Sequence, residues 1–230
     1  MMRHLITGAG SGIGDALARA LHDRGDELWL LARSTERAAD LEASFPGART
    51  VVADLADAEG LARLADSGDL PDRIDSLVHS AGVVELGTVA DLGVAEMRAQ
   101  LEVNLLAPMV LTRACLPALR AARGLVVLVN SGAGLAANPT WSAYAASKFG
   151  ARGFADALRA EEGEHGVRVT SVYPSRTATP MQEKVHAQEG KDYDAAQWIQ
   201  PGTVAATILH AIDLPADGTV SDLTVRPAPR

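Results

Sequence analysis

Eight residues near the start of the chain, Thr7-Gly-Ala-Gly-Ser-Gly-Ile-Gly14, limit its possible folds more than any other segment. A short apolar run, His4 to Thr7, leads into them. Beyond them Ile13, Leu17, Ala20 and Leu21 recur at helical spacing. A strand that turns through glycines into a helix aims unpaired amide groups and a positive helix end at an anion. Side chains at Gly8, Gly12 or Gly14 would block close approach of phosphates, or of the helix to the sheet. The spacing is G-x-x-x-G-x-G rather than the commoner G-x-G-x-x-G. A glycine cluster can be an ordinary tight turn, but its position between strand and helix favours a dinucleotide site.

Downstream, short apolar runs alternate with longer helical patterns. Strands are expected near residues 28–32, 50–53, 76–79, 125–130, 167–173 and 221–225, and helices near 35–43, 58–64, 95–120, 142–164 and 204–212. This βαβα order predicts one α/β domain over residues 1–230: a doubly wound, Rossmann-type parallel sheet of about seven strands with helices on both faces. Pro108 and Pro117 should kink or end the longest helix. Residues 181–200 are polar, poorly periodic and long for a connection, so they read as a mobile flap over the substrate.

Composition narrows the partners. A formal charge of −8, with no lysine or arginine run, argues against nucleic acid and anionic membranes. No apolar run is expected to reach the ~20 residues of a membrane span, and the N-terminus enters its first strand at once. A cytoplasmic protein is the default expectation. Cys115, the single cysteine, lies in an apolar helical stretch and reads as a buried structural thiol.

In such a sheet, chemistry gathers beyond the carboxyl ends of the strands. Ser131, Ser80-Ala81-Gly82, Tyr173-Pro174 and Asp54 all fall there. Asp54 can accept from an adenine amino group or cap the next helix. Tyr144 and Lys148, at i and i+4, share a helix face, so the ammonium can lie near the phenol and favour phenolate. Tyr144 then serves as general acid/base at a carbonyl or alcohol carbon, with Ser131 donating to the same oxygen. Taken singly, each has a plainer explanation: Ser131 as a helix or turn cap, Asn104 as a partner for nearby backbone, Trp141 as core rather than pocket wall.

These residues, in this order and at these separations, resemble the short-chain dehydrogenase/reductase family over nearly the full chain. The family's T-G-x-x-x-G-x-G is met at Thr7, Gly8, Gly12 and Gly14, and its Y-x-x-x-K at Tyr144 and Lys148. The resemblance implies a catalytic set of Asn104, Ser131, Tyr144 and Lys148. Lys148 would also bind the nicotinamide ribose, and Asn104 would hold a water linking the lysine to solvent. The implied cofactor contacts are Gly8, Ser11, Gly12, Ile13, Gly14, Asp54, Leu55, Ser80, Ala81, Gly82, Tyr144, Lys148, Pro174, Thr177 and Thr179, with Thr179 and the backbone of Thr177 at the carboxamide. No metal is implied. Two positions depart from the family: His79-Ser80-Ala81-Gly82 stands for N-N-A-G, and Ser175 for the glycine after the proline.

After the second strand, Ala32 leaves no carboxylate to repel a phosphate. Arg33 offers a fork of donors to a 2′-phosphate and Ser34 a hydroxyl, which favours NADP(H) over NAD(H). The expected activity is hydride transfer between NADP(H) and a small or medium carbonyl or alcohol. The alternatives are the same chemistry with NAD(H), or a non-catalytic protein that senses the dinucleotide. The resemblance further implies a homodimer or homotetramer through helices 95–120 and 142–164. The segment 220–227 resembles a seventh strand found in NADP-dependent members.

Overall fold

The computed structural model describes residues 1–228. The chain runs β1 (Arg3–Thr7), α1 (Gly12–Asp23), β2 (Glu27–Ala32), α2 (Thr35–Ser44), β3 (Arg49–Val52), α3 (Ala58–Ser67), β4 (Ser76–His79), α4 (Val94–Leu101), α5 (Ala107–Ala122), β5 (Leu125–Val129), α6 (Ser142–Glu162), β6 (Arg168–Pro174), α7 (Pro180–Gln188), α8 (Pro201–Ile212) and β7 (Asp222–Val225). The seven strands pair in parallel in the order β3-β2-β1-β4-β5-β6-β7. The winding reverses between β1 and β4, and a crevice opens at their carboxyl ends.

Successive residues in a strand face opposite sides of the sheet, and the sequence uses both. Ile6, Leu30 and Val127 join α1, α2 and α8 in one core. Leu5, Leu31 and Val126 join α3, α5 and α6 in the other. Each fully buried Leu or Ile favours this arrangement by about 1.5–3 kcal/mol over exposure. Local signals start the helices. Ser34 caps α2 by accepting from the Arg37 amide at 3.3 Å, and Asp57 caps α3 through the Gly60 amide at 2.9 Å. Asp54, expected either to bind adenine or to cap the next helix, does not cap it; one carboxylate oxygen accepts from the Ala56 amide at 2.9 Å in a local turn.

Three expectations need correction. The prolines do not end the long helix expected over 95–120: it runs from Val94 to Ala122, α4 passing into α5 through a wide π turn, Glu102–Leu106, with Pro108 at the start of α5. Pro117 lies inside α5 without ending it. The polar segment 181–200 is partly regular, since α7 starts at Pro180 and turns Gln182, Val185 and His186 inward. Finally, Val94–Ala122 taken together is apolar and long enough to cross a membrane, with an 18-residue window of mean hydropathy 1.3. Here Ala107, Leu111, Cys115 and Leu119 of that stretch pack on the sheet as core.

Candidate active site

The crevice at the strand ends holds a cleft of about 440 Å³. Its floor is the glycine turn. Gly8 and Gly12 have φ of +73° and +57°, a region closed to most side chains. A Cβ on Gly8 would sit 2.7 Å from the Ala81 amide nitrogen, and one on Gly14 would overlap the Gly8 carbonyl. Gly8 therefore lets the turn lie against the end of β4, and Gly14 brings α1 down onto the turn. Ser11 precedes α1 but makes no side-chain capping bond, leaving its hydroxyl outside the helix's own network. The Thr7 hydroxyl accepts from the amides of Ser80 and Ala81, each at 3.1 Å. This bond ties the ends of β1 and β4 together through backbone groups, so the short Ser80 side chain is not needed for it.

The opposite wall comes from β5 and α6. Ser131 follows β5, and its hydroxyl accepts from the Ala133 amide at 3.1 Å and bonds the Tyr144 phenol. Tyr144 is buried, and burial raises its pKa, with the Ser131 bond acting the other way. Lys148 is buried one turn along, its Nζ 5.7 Å from the Tyr144 ring centre and donating to the Val129 carbonyl at 3.0 Å. Burial brings the Lys148 ammonium down to about 8. The two groups are adjacent, and loss of water is the largest influence on Tyr144.

Asn104 lies in the π turn, and its side chain is fully engaged. Nδ2 donates to the Val83 carbonyl at 2.8 Å and to Ser147 Oγ at 3.1 Å, while Oδ1 accepts from the Val83 amide at 2.8 Å. It braces the loop after β4 and does not line the cleft. Its backbone carbonyl lacks the usual i+4 donor, because Pro108 has no N–H.

Gly8, Ser11, Gly12, Ile13, Ser80, Ala81 and Gly82 line the cleft on one side, and Ser131, Tyr144, Lys148, Pro174, Thr177 and Thr179 on the other. Thr179 uses its hydroxyl to cap α7, accepting from the Gln182 amide at 3.2 Å and donating to the Thr177 carbonyl at 3.2 Å. Ser175 has an ordinary backbone conformation, so no glycine is required there. Arg33, Ser34, Asp54 and Leu55 do not line the cleft. They follow β2 and β3, one and two strands outward from β1, with Arg33 and Asp54 exposed. The Ser34 hydroxyl is already used by the α2 cap and by Glu36.

Two residues with evident roles escaped the sequence reading. Asn130 donates to the Lys148 carbonyl at 3.1 Å and accepts from the Ser131 amide at 2.9 Å, fixing both neighbours at once. The guanidinium of Arg37 lies against Gly10 of the glycine turn and pairs with Asp40 at 2.8 Å. A basic residue three positions after a helix cap was the available signal for Arg37. Trp141 lines the cleft and meets Tyr144 edge to face, 5.6 Å between ring centres, so it is pocket wall and packing at once. Cys115 is buried, its thiol pushed up to about 12, as a structural cysteine should be.

Comparison with known proteins agrees with this geometry. The family profile described as short chain dehydrogenase matches residues 3–190. The chain belongs to the short-chain dehydrogenase/reductase family. Among relatives of this dehydrogenase/reductase, dehydrogenase/reductase SDR family member 7B of Xenopus laevis is 33% identical over 90% of this chain and 70% of its own length. The sepiapterin reductase of Chlorobaculum tepidum is 33% identical over 98% and 97%. An alcohol dehydrogenase of Thermococcus sibiricus, complexed with 5-hydroxy-NADP, superposes with a TM-score of 0.82 at 26% identity, covering 99% of each chain. A metagenomic short-chain oxidoreductase in complex with NADP gives 0.81 at 30% identity, covering 99% of this chain and 97% of that one.

Proposed function

We propose that this dehydrogenase/reductase interconverts a carbonyl compound and its alcohol with NADP(H). The observation that carries the reading is the joint placement of Tyr144, Ser131 and Lys148 across one cleft from a glycine turn that admits no side chains. That turn fits a pyrophosphate: Gly8, Ser11, Gly12 and Ile13 would hold it at the N-terminus of α1. Ser80, Ala81, Gly82, Pro174, Thr177 and Thr179 would border the nicotinamide half, and Asp54 and Leu55 the adenine. Arg33 would meet the 2′-phosphate. When bound, the cofactor supplies a hydride to the carbonyl carbon or takes one from the alcohol.

The protein's residues manage the other proton. Raised by burial, the Tyr144 phenol keeps its proton at neutral pH and can give it to the carbonyl oxygen as that oxygen gains charge. The Ser131 hydroxyl, already bonded to the phenol, can donate to the same oxygen and favour its charged form. Lys148, close to the phenol, stabilises the tyrosinate left behind, and Asn130 fixes Lys148 by its carbonyl. In the alcohol-oxidising direction the same groups act in reverse. Helix α7 and the residues up to 200 supply the far wall and act as the substrate flap.

NADP(H) is preferred over NAD(H) because an exposed Arg33 follows β2 where a carboxylate would be needed for a ribose diol. The crystallised neighbours holding NADP or a derivative support the same choice. Self-association is supported by apolar side chains left exposed along the α4–α5 and α6 faces: Val94, Leu101, Leu106, Met109 and Phe149. The test of the reading is NADPH oxidation over a panel of ketones and aldehydes by wild type and Tyr144→Phe. Turnover should fall about 10²- to 10⁴-fold in the variant while nucleotide binding persists. Nucleotide binding without turnover of any carbonyl or alcohol would favour the sensor reading instead.

A further inference from the structure

The substrate half of the cleft has a chemical character of its own. Val84, Ala133, Val185 and Tyr144 form a small buried cluster, and Trp141 and Met181 pack against it. Among the described residues no aspartate or glutamate lines the cleft, and its only cations are Lys148 and Arg176. Lys148 is spent on the Val129 carbonyl beside Tyr144. Arg176 donates to Glu189 at 2.6 Å, and its guanidinium lies 5.7 Å from the centre of the Trp198 ring. Glu189 also takes Lys191 at 3.0 Å, and these cations hold its carboxyl down to about 2, so it stays charged at any ordinary pH. An anionic substrate would thus lose its water without gaining a free cation, which is unfavourable. A neutral apolar or aryl group loses nothing and gains contact with Trp141 and Met181.

We propose that the substrate is a neutral carbonyl compound carrying an apolar or aryl substituent, and that Glu189 enforces this neutrality by keeping Arg176 in a closed ion pair. The proposal rests on the dehydrogenase/reductase reading and deepens it. Glu189 is a positioning residue: it acts through Arg176 and lies outside the cleft lining.

The experiment compares methyl benzoylformate with benzoylformate, and ethyl pyruvate with pyruvate, as substrates reduced with NADPH. Within each pair the ketone is the same and the charge differs. For wild type, kcat/KM for the ester should exceed that for the acid by about 100-fold or more, with the aryl ester ahead of the alkyl one. Glu189→Gln should narrow the ester-to-acid ratio by about tenfold, through a lower KM for the acid, and Glu189→Asp should restore the wild-type ratio. A general loss of folding would depress both members of a pair and leave their ratio alone. Wild type reducing acid and ester equally well would overturn the proposal while leaving the oxidoreductase reading standing. Failure to reduce any carbonyl, with NADPH bound, would overturn both.

Discussion

The two ends of the cleft are built by opposite means. At the β5–α6 end, the polar groups are buried and tied to one another: Asn130 to Lys148 and Ser131, Asn104 to Val83 and Ser147, Ser131 to Tyr144. At the β2–β3 end, Arg33 and Asp54 are exposed, and the nearest side-chain bonds are short-range caps and turns. Buried polar groups must be paired within the protein, so the first end arrives preorganised. Exposed groups keep water until a ligand replaces it, so the second end can change its preference without disturbing the fold.

That contrast can be broken in four ways. The largest effect belongs to Ser131→Ala, which in the proposed mechanism removes a donor to the reacting oxygen and should lower kcat about 10²- to 10³-fold. Melting should move down only modestly, since the Ala133 amide and the Tyr144 phenol each lose one partner; an unchanged kcat would mean that Ser131 merely caps a turn. Next comes Arg33→Asp at the open end. NADP(H) affinity, read by nicotinamide fluorescence titration, should weaken about 10- to 100-fold, with NAD(H) affinity much less affected. Equal losses for the two nucleotides would sink the selectivity assigned to Arg33.

Gly14→Ala comes third. Its new methyl must displace the Gly8 backbone, and overpacking of this kind costs about 1–3 kcal/mol. Thermal unfolding should move down by several degrees and dinucleotide binding should weaken with it. The smallest effect concerns acid stability. His79 is buried against Thr112 Oγ1 at 2.8 Å, and burial pushes its imidazole down to about 3. In the unfolded chain it titrates near ~6.5. Between those values the unfolded state binds the extra proton, so this contribution to stability is lost as pH falls below about 6.5. Denaturant midpoints of His79→Asn should fall less steeply with acid than those of wild type, and parallel slopes would exclude His79 as a source of the loss.

The same contrast explains what could be read from the sequence. The sheet was legible because alternating apolar residues such as Leu5 and Ile6 must serve two cores. Tyr144, Lys148, Ser131 and the glycines were legible because their spacing along the chain maps directly onto one cleft. Asn130 was not, since its partner is a carbonyl 18 residues away and nothing in its neighbourhood announces that bond. Helix α7 was missed because polar Gln182 and His186 face inward with Val185, which erases the apolar period. Thr179 followed by Pro180, a cap residue before a first-turn proline, was the signal that should have revealed it. Ser34 and Thr179 also start helices, each accepting a capping bond from the backbone amide three residues on.

Tyr144 and Lys148 ride on α6, a rod of 21 residues whose far end is clamped by the Glu162–Arg120 pair at 2.7 Å. Met181 and Val185, which line the cleft, ride on the nine residues of α7. That short helix is fastened to the rim of the cleft by Lys184 and Gln188, both gripping Glu85. The proposed proton donor and most of the proposed substrate wall therefore occupy separate pieces of chain, Trp141 at the start of α6 excepted. An evolving lineage, or an engineer, could refit the visor for a new compound and leave the rod's reactive pair in register.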